Sequence, residues 1–140
     1  MTKTSFYARY ELTPDSGNVV TSWGAIQNHT GKYLVQCWDK EKTYIKKQDR
    51  TDDAVMIVKL LSPRDVAASP TGGNARARYV HAIRNGAPAF AAVSTGDYPN
   101  WIESANLEQV YPVLSVYDTP DGDTYAKAGA PVPTVEAFGS

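Results

Sequence analysis

The sequence has a single cysteine and no long apolar run, and both shortages narrow the class of protein. Cys37 stands alone among 140 residues, so no disulfide can form within the chain, which is typical of proteins from reducing compartments. The longest apolar run, AVMIV at 54–58, is far too short to cross a membrane, and MTKTSFYARYEL at the start lacks the apolar stretch of a signal peptide. The sequence therefore predicts a cytoplasmic protein without a membrane segment.

Histidine is also scarce, and the spacings that usually mark metal or catalytic sites are missing. His29 and His81 are the two histidines, and no H-x-x-x-H or C-x-x-C pattern occurs. The acidic stretch at 118–123 does not have the spacing of a calcium loop, and TGGNARAR at 71–78 lacks the Gly-Lys-Ser/Thr of a phosphate loop. We expect no metal, no cofactor and no assignable catalytic residue, which favours a protein that is not an enzyme. A site assembled from distant residues stays open.

The composition that remains is that of one soluble globular domain rich in tyrosine. The apolar fraction of 42% and the charged fraction of 21% are both ordinary, and 140 residues can sustain one core without staples. Nine tyrosines and three tryptophans favour strands and half-exposed surfaces.

The charges are unevenly distributed along the chain. Residues 40–84 carry ten basic and five acidic side chains, whereas residues 85–140 carry one lysine and seven acidic side chains. The two segments either face each other within one fold, or they provide a basic surface for an anionic partner or for head-to-tail self-association.

The N-terminal third reads as a series of strands. SFYARYEL at 5–12 alternates with period two, and turn residues at 13–18 lead into a return strand at 19–27. NHTG at 28–31 is a second turn before a strand at 32–38, whose Cys37 side faces the core and is therefore disfavoured as a nucleophile. Residues 42–48 are expected to form an edge strand, because lysines discourage edge-to-edge pairing.

The middle of the chain is less decided. Residues 51–61 fit either a capped helix or a short buried strand. Ser62 and Pro63 fit the start of a helix, with Ser62 as the cap. Residues 67–74 contain Pro and two glycines and are expected to form a flexible loop.

Residues 75–94 carry the strongest local pattern. Two apolar-rich runs flank Asn85-Gly86, a pair typical of a two-residue hairpin turn with both residues at positive φ. The predicted hairpin places His81 opposite Phe90 on an aromatic face that also contains Tyr79. Arg76, Arg78 and Arg84 then share the other side of the strand.

Residues 92–102, AVSTGDYPNWI, connect that hairpin to a predicted helix at 99–110. Asp97 suits the helix cap and Pro99 its first turn, and Pro112 is expected to end the helix. Geometry does not account for Tyr98 and Asn100, so a binding role for this connection stays open.

The C-terminal part reads as a second hairpin, with strands at 113–118 and 123–129 around TPDG. The expected fold is α+β, with a mainly antiparallel, hairpin-built sheet of five to seven strands and one or two helices. Residues 1–129 would form a single globular domain, and residues 130–140 a surface-hugging or disordered tail.

Three functional hypotheses follow from these patterns. The first is a small non-catalytic binding or adaptor domain that self-associates into a homo-oligomer, with a ligand bound by Tyr79, His81, Asp97, Tyr98, Asn100 and Trp101. The second is a nucleic-acid-binding module that uses the basic region 40–84, in which Arg76, Arg78 and Arg84 contact phosphates. The third is a small enzyme with a pocket around His81 and the loop 94–101.

Overall fold

The fold is α+β, with a large, mostly antiparallel sheet. The computed structural model describes residues 3–15, 22–38, 42–94 and 108–139. Within these residues lie four short helices, namely α1 (Lys3–Arg9), α2 (Pro63–Ala68), α3 (Pro70–Arg84) and α4 (Thr134–Phe138), and a 3-10 turn at Lys47–Asp49. The nine described strands, two more than the upper end of the expected range, are β1 (Leu12–Pro14), β2 (Gly24–Gln27), β3 (Lys32–Trp38), β4 (Lys42–Tyr44), β5 (Ala54–Leu61), β6 (Ala89–Ser94), β7 (Gln109–Asp118), β8 (Thr124–Gly129) and β9 (Val132–Pro133).

The strands follow the order β1-β2-β3-β6-β7-β8-β5-β4, and β9 pairs with β7. All described pairs are antiparallel except β3 and β6, which run parallel with Leu34 opposite Phe90. Long β7 pairs with β6 near its start and with β8 over the rest of its length. The short strand β4 lies at one end of this order, as predicted for the lysine-rich segment 42–48, although only residues 42–44 of that segment form a strand.

Helices cover both faces of the central strands, and two apolar clusters result. α1 and α4 pack on one face through Phe6, Tyr10 and Phe138, together with Leu34 of β3 and Ala92 of β6. α3 packs on the other face through Val80 and Ile83, together with neighbouring residues of the same strands, Val35, Cys37, Ala89 and Ala91. Because β3 and β6 are buried on both faces, their sequences are almost continuously apolar. Among the described residues, no helix is both long and apolar enough to cross a membrane.

Several predicted elements are confirmed. Residues 32–38 form a strand, NHTG forms a turn with Gly31 at φ 73°, and β7 and β8 form a hairpin around Thr119–Gly122. Residues 54–61 form a strand, which decides the alternative left open at 51–61. Ser62 caps α2 by accepting a hydrogen bond from the backbone N–H of Asp65 at 3.1 Å, and Pro63 follows at the first turn.

The predicted strand at 5–12 is wrong over most of its length, because residues 3–9 form α1. Phe6, Tyr7 and Tyr10 are buried while Ala8 is exposed, which is the spacing of a helix face. The alternation of apolar residues was compatible with both structures, and packing against Phe138 selected the helix.

The predicted hairpin at 75–94 is also wrong. Residues 70–84 form α3, which includes most of the expected flexible loop at 67–74. Asn85-Gly86 ends this helix: Gly86 N–H donates to the Ile83 carbonyl at 3.0 Å and Ala87 N–H to the Ala82 carbonyl at 3.1 Å, a Schellman motif. Gly86 has φ 103°, as expected, but Asn85 has φ −89°.

The C-terminal region differs from expectation as well. Most of the predicted helix at 99–110 lies outside the described residues, but its end overlaps β7, where Pro112 pairs with Phe90. Residues 132–138, expected to be a surface-hugging or disordered tail, form β9 and α4, and the ring of Phe138 is 2% exposed.

Candidate functional site

A cavity of about 510 Å³ lies where the junction of α2 and α3 meets β3, β5 and the segment before β2. Its wall combines two indole rings with hydroxyl, amide and charged groups. The described residues that line it are Ser22, Trp23, Gln36, Trp38, Lys59, Leu60, Asp65, Ser69, Pro70, Thr71, Gly72 and Arg76. Concave sites of this size, largely apolar and with a few fixed polar groups, are typical of small-molecule sites.

Arg76 is the most buried charged residue among the described lining residues, and it is 3% exposed. Nη1 donates to the Leu60 carbonyl at 2.8 Å, and Nη2 donates to the carbonyl of Gln36 at 2.7 Å and to that of Trp23. The guanidinium therefore joins β3, β5 and the segment before β2. These bonds use three of its five N–H donors, and Nε is without a hydrogen-bond partner among the described residues.

No described carboxylate forms an ion pair with Arg76, and its hydrogen bonds among the described residues are all to carbonyl groups. The second cation of the wall, Lys59, has its Nζ 4.0 Å from Oδ2 of Asp65, which also lines the cavity. Asp15 lies outside the wall and accepts the backbone N–H of Trp23, with both carboxylate oxygens at 3.2 Å. Among the described lining residues, Lys59 and Asp65 form a pair and Arg76 contributes the remaining positive charge.

The N-terminus of α3 opens onto the same cavity. Pro70 has no N–H, and the side chain of Ser69 makes no capping bond. The first intrahelical bond of this turn is donated by Gly73 to the Ser69 carbonyl at 2.8 Å, so the N–H groups of Thr71 and Gly72 have no partner within the helix. This end of the helix carries the positive end of its dipole.

Gly72 brings the indole of Trp23 close to α3. A Cβ atom at this position would lie 2.6 Å from Nε1 of Trp23, closer than any side chain could remain. The Trp23 ring therefore packs against the helix backbone where its first turn faces the cavity. A larger residue at position 72 would displace the ring.

A buried polar group supports the cavity from behind. The Tyr7 hydroxyl is 3.1 Å from Oγ of Ser22 and accepts a hydrogen bond from Nε2 of Gln36 at 2.5 Å. Burial raises the pKa of Tyr7 to about 12, and the hydrogen bonds with Ser22 and Gln36 oppose part of that rise. Tyr7 is thus neutral at ordinary pH, and it holds two lining side chains in place.

The structure places the residues proposed from sequence in several different environments. Tyr79 is half-buried on α3, with its ring 4.6 Å edge-to-face from that of Tyr33, and burial raises its pKa. His81 is exposed and its Nε2 is 3.2 Å from the Asn85 side-chain amide. Neither lines the cavity. Asp97, Tyr98, Asn100 and Trp101 lie outside the described residues.

The three arginines proposed as an anion-binding set lie on α3 rather than on a strand. Arg76 is buried, Arg78 is exposed, and Arg84 donates through Nη2 to Oδ1 of Asp118 at 3.0 Å. Arg76 alone of the three lines the cavity.

Sequence reasoning missed the other lining residues, including both tryptophans, because they come from five separate segments. One local signal was present: Ser69-Pro70 repeats the pattern of Ser62-Pro63, at which α2 begins. The glycines at 72 and 73 obscured it, because glycine is unfavourable inside helices.

Comparison of the chain with protein-family models, with curated proteins and with solved structures found no match in any of the three. Among the described residues, no group of three or more His, Cys, Asp or Glu side chains is arranged to hold a metal ion. The chemistry of the cavity is therefore the basis for a functional proposal.

Proposed function

We propose that this protein is a non-catalytic binding domain whose ligand is a small organic molecule held in the cavity beside Arg76. The observation that carries this proposal is the cavity itself, about 510 Å³ in volume and lined by two indoles and a ring of hydrogen-bonded polar groups. Small-molecule sites bury most of their ligand in such spaces and orient it with a few fixed polar groups.

The hydrogen bonds around the cavity support a preformed site. Ser22 and Gln36 are held by the Tyr7 hydroxyl, and three carbonyl groups hold Arg76. Side chains that are already fixed lose little conformational freedom when a ligand binds, which favours affinity.

A fragment screen with a cavity-filling variant tests the proposal. Thr71 is exposed at the rim and lines the cavity, so Thr71→Trp should fill it without disturbing the core. Asn74→Trp is the matched control, because Asn74 is exposed on the same helix but does not line the cavity. Ligand-observed NMR with a library of flat aromatic fragments should find compounds that bind the wild type and Asn74→Trp but not Thr71→Trp.

Two outcomes of this screen would contradict the proposal. Fragments that bind Thr71→Trp and Asn74→Trp equally well would place the binding site elsewhere. A library without any fragment that depends on position 71 would remove the support that the cavity provides.

The two other hypotheses have less support from the described residues. Of the three arginines proposed to contact phosphates, Arg76 is buried and Arg84 is paired with Asp118, which leaves Arg78 as the exposed member. A catalytic role of His81 would need a pocket at the exposed end of α3, away from the cavity. Self-association and a cytoplasmic location remain parts of the proposal. The separation of charge along the chain supports the first, and the single, buried cysteine supports the second.

A further inference from the structure

We infer that the ligand is an organic monoanion, with a carboxylate at the N-terminus of α3 and a flat apolar body against the indoles of Trp23 and Trp38. This inference rests on the proposed small-molecule site and specifies the chemical class of its ligand. Three features of the cavity support it: the charge of the wall, the free helix N-terminus and the indole rings.

The charged side chains among the described lining residues sum to one positive charge. Nζ of Lys59 lies 4.0 Å from Oδ2 of Asp65, whereas Arg76 is buried with no carboxylate partner among the described residues. A buried cation whose hydrogen bonds go to carbonyl groups creates a positive potential around it. A monoanion would neutralise this potential, whereas a dianion would leave an excess negative charge beside Asp65.

The N-terminus of α3 provides the donors for a carboxylate. The N–H groups of Thr71 and Gly72 have no partner within this 15-residue helix, and the hydroxyls of Ser69 and Thr71 belong to the same wall. Arg76 adds an independent indication of an anion, because it lines the cavity, is 3% exposed and has no partner at Nε among the described residues. The positive charge of Arg76 would attract an oxyanion at the helix N-terminus through space, without direct contact with the buried Nε.

The apolar part of the wall favours a flat molecule. Trp23 packs against the helix at Gly72, while Trp38, Leu60 and Pro70 provide further apolar surface. Aromatic rings packed against indoles gain binding free energy beyond the burial of their area. A bicyclic aromatic carboxylate has both the shape and the charge that this wall requires.

Three probes with the same ring system separate charge from shape: 2-naphthoate, 2-naphthamide and 2-naphthyl phosphate. Titration calorimetry at neutral pH and low salt should show that 2-naphthoate binds at least about tenfold more tightly than the neutral amide. The phosphate, which is largely dianionic at this pH, should bind no more tightly than the carboxylate.

A pair of charged variants locates the carboxylate. Thr71→Glu places a negative charge at the helix N-terminus inside the cavity, where it also favours the helix dipole. Asn74→Glu makes the same change of charge on the exposed surface of the same helix. We expect Thr71→Glu to weaken binding of 2-naphthoate by about tenfold more than it weakens binding of 2-naphthamide, while Asn74→Glu changes neither by more than about twofold.

The outcomes distinguish this inference from the proposed function. Amide binding as tight as naphthoate binding, phosphate binding about tenfold tighter than either, or equal weakening by both variants would overturn the monoanion and leave the small-molecule site standing. The inference also fails if none of the three probes binds although neutral fragments bind in a way that depends on position 71. Failure of both the probes and the fragments would overturn the site as well.

Discussion

The hydroxyl of Tyr7 is buried between Ser22 and Gln36, and its ring contributes to the core beneath α1. Its position links the cavity to the stability of the fold, because the same hydroxyl that orients two lining residues must stay neutral. Burial favours the neutral phenol and raises the pKa to about 12, from an ordinary value of 10.0.

Tyr7 should therefore make the stability of the protein depend on alkaline pH. The pKa of Tyr7 is higher in the folded state than in the unfolded state. The stability that neutral Tyr7 contributes is therefore fully present below pH 10 and is lost as the pH rises through about 12. By pH 12 the wild type should lose on the order of 2 kcal/mol through this residue. Tyr7→Phe should be less stable at pH 8, because it lacks the hydrogen bonds, and the difference from the wild type should narrow between pH 10 and 12.

Urea denaturation of both proteins across this pH range measures the narrowing. Tyr117→Phe is the matched control, because it removes a phenol hydroxyl from a partly exposed ring whose packing partner among the described residues is the ring of Tyr125. A difference between the wild type and Tyr7→Phe that stays constant up to pH 12 would show that ionisation of Tyr7 does not limit stability.

At the scale of elements, two adjacent glycines allow α3 to pack where it does. A Cβ at Gly73 would lie 2.7 Å from Cα of Val66, so Gly73 permits the close approach of α2 and α3. Gly72 does the same for the indole of Trp23. Because glycine has a low helix propensity, propensity alone predicted a loop here. In the structure this cost is offset by the close packing that the two glycines permit.

Gly86, which follows the C-terminus of α3, has a backbone conformation that residues other than glycine rarely adopt. Gly86 has φ 103°, and a Cβ there would have no other atom within 4 Å, so any cost of substitution comes from the backbone itself. Gly86→Val should lower the free energy of unfolding by roughly 1–3 kcal/mol, and Gly86→Asn should lower it less, because Asn tolerates positive φ better. Chemical denaturation of the two variants provides the comparison, and equal losses would argue against backbone strain as the cause.

At the scale of the whole molecule, one residue of the sheet, Gln27, forms hydrogen bonds at the ends of both the N-terminal helix α1 and the C-terminal helix α4. Nε2 of buried Gln27 donates to the Tyr10 carbonyl at 2.8 Å and to the Phe138 carbonyl at 2.6 Å. The centroids of the Tyr10 and Phe138 rings lie 6.5 Å apart. The end of the described chain is therefore part of the core.

The opposite charges of 40–84 and 85–140 meet partly within the molecule. Nη2 of Arg84 lies 3.0 Å from Oδ1 of Asp118, and Nζ of Lys127 lies 3.5 Å from Oδ2 of Asp52. The side chains of both pairs are partly exposed. Exposed pairs of this kind contribute little to stability, typically up to about 1 kcal/mol. They account for four of the charges in these two segments.

Self-association driven by these charges should be sensitive to salt. We expect light scattering to detect an oligomer at an ionic strength of roughly 0.02 M and a shift towards monomer at roughly 0.5 M, because salt screens exposed charges. Uncharged osmolyte at the same osmolarity is the control for effects unrelated to charge. A monomer under both conditions, or an oligomer indifferent to salt, would leave charge pairing between molecules without support.

The sequence by itself determined the elements whose signals are local. Helix α2 begins at the cap Ser62, which Pro63 follows. The turn residues TPDG join β7 and β8, and strand β3 forms at the largely apolar residues 32–38. In each case the preference of neighbouring residues and the final structure agree. The α+β class and the mostly antiparallel sheet follow from such elements, although the parallel pairing of β3 with β6 does not.

Only the tertiary structure decided between helix and strand at 5–12 and 75–94, and only it assembled the cavity. Both segments have apolar residues that suit either period, and Asn85-Gly86 can close a hairpin or end a helix. Contacts distant in sequence selected the helix, such as Tyr10 with Phe138 and Arg76 with the Leu60 carbonyl. The sequence predicted that Arg76 would lie on a strand surface and bind an anion. In the structure Arg76 is buried and donates to three carbonyl groups of distant segments, whose positions a local sequence pattern cannot predict.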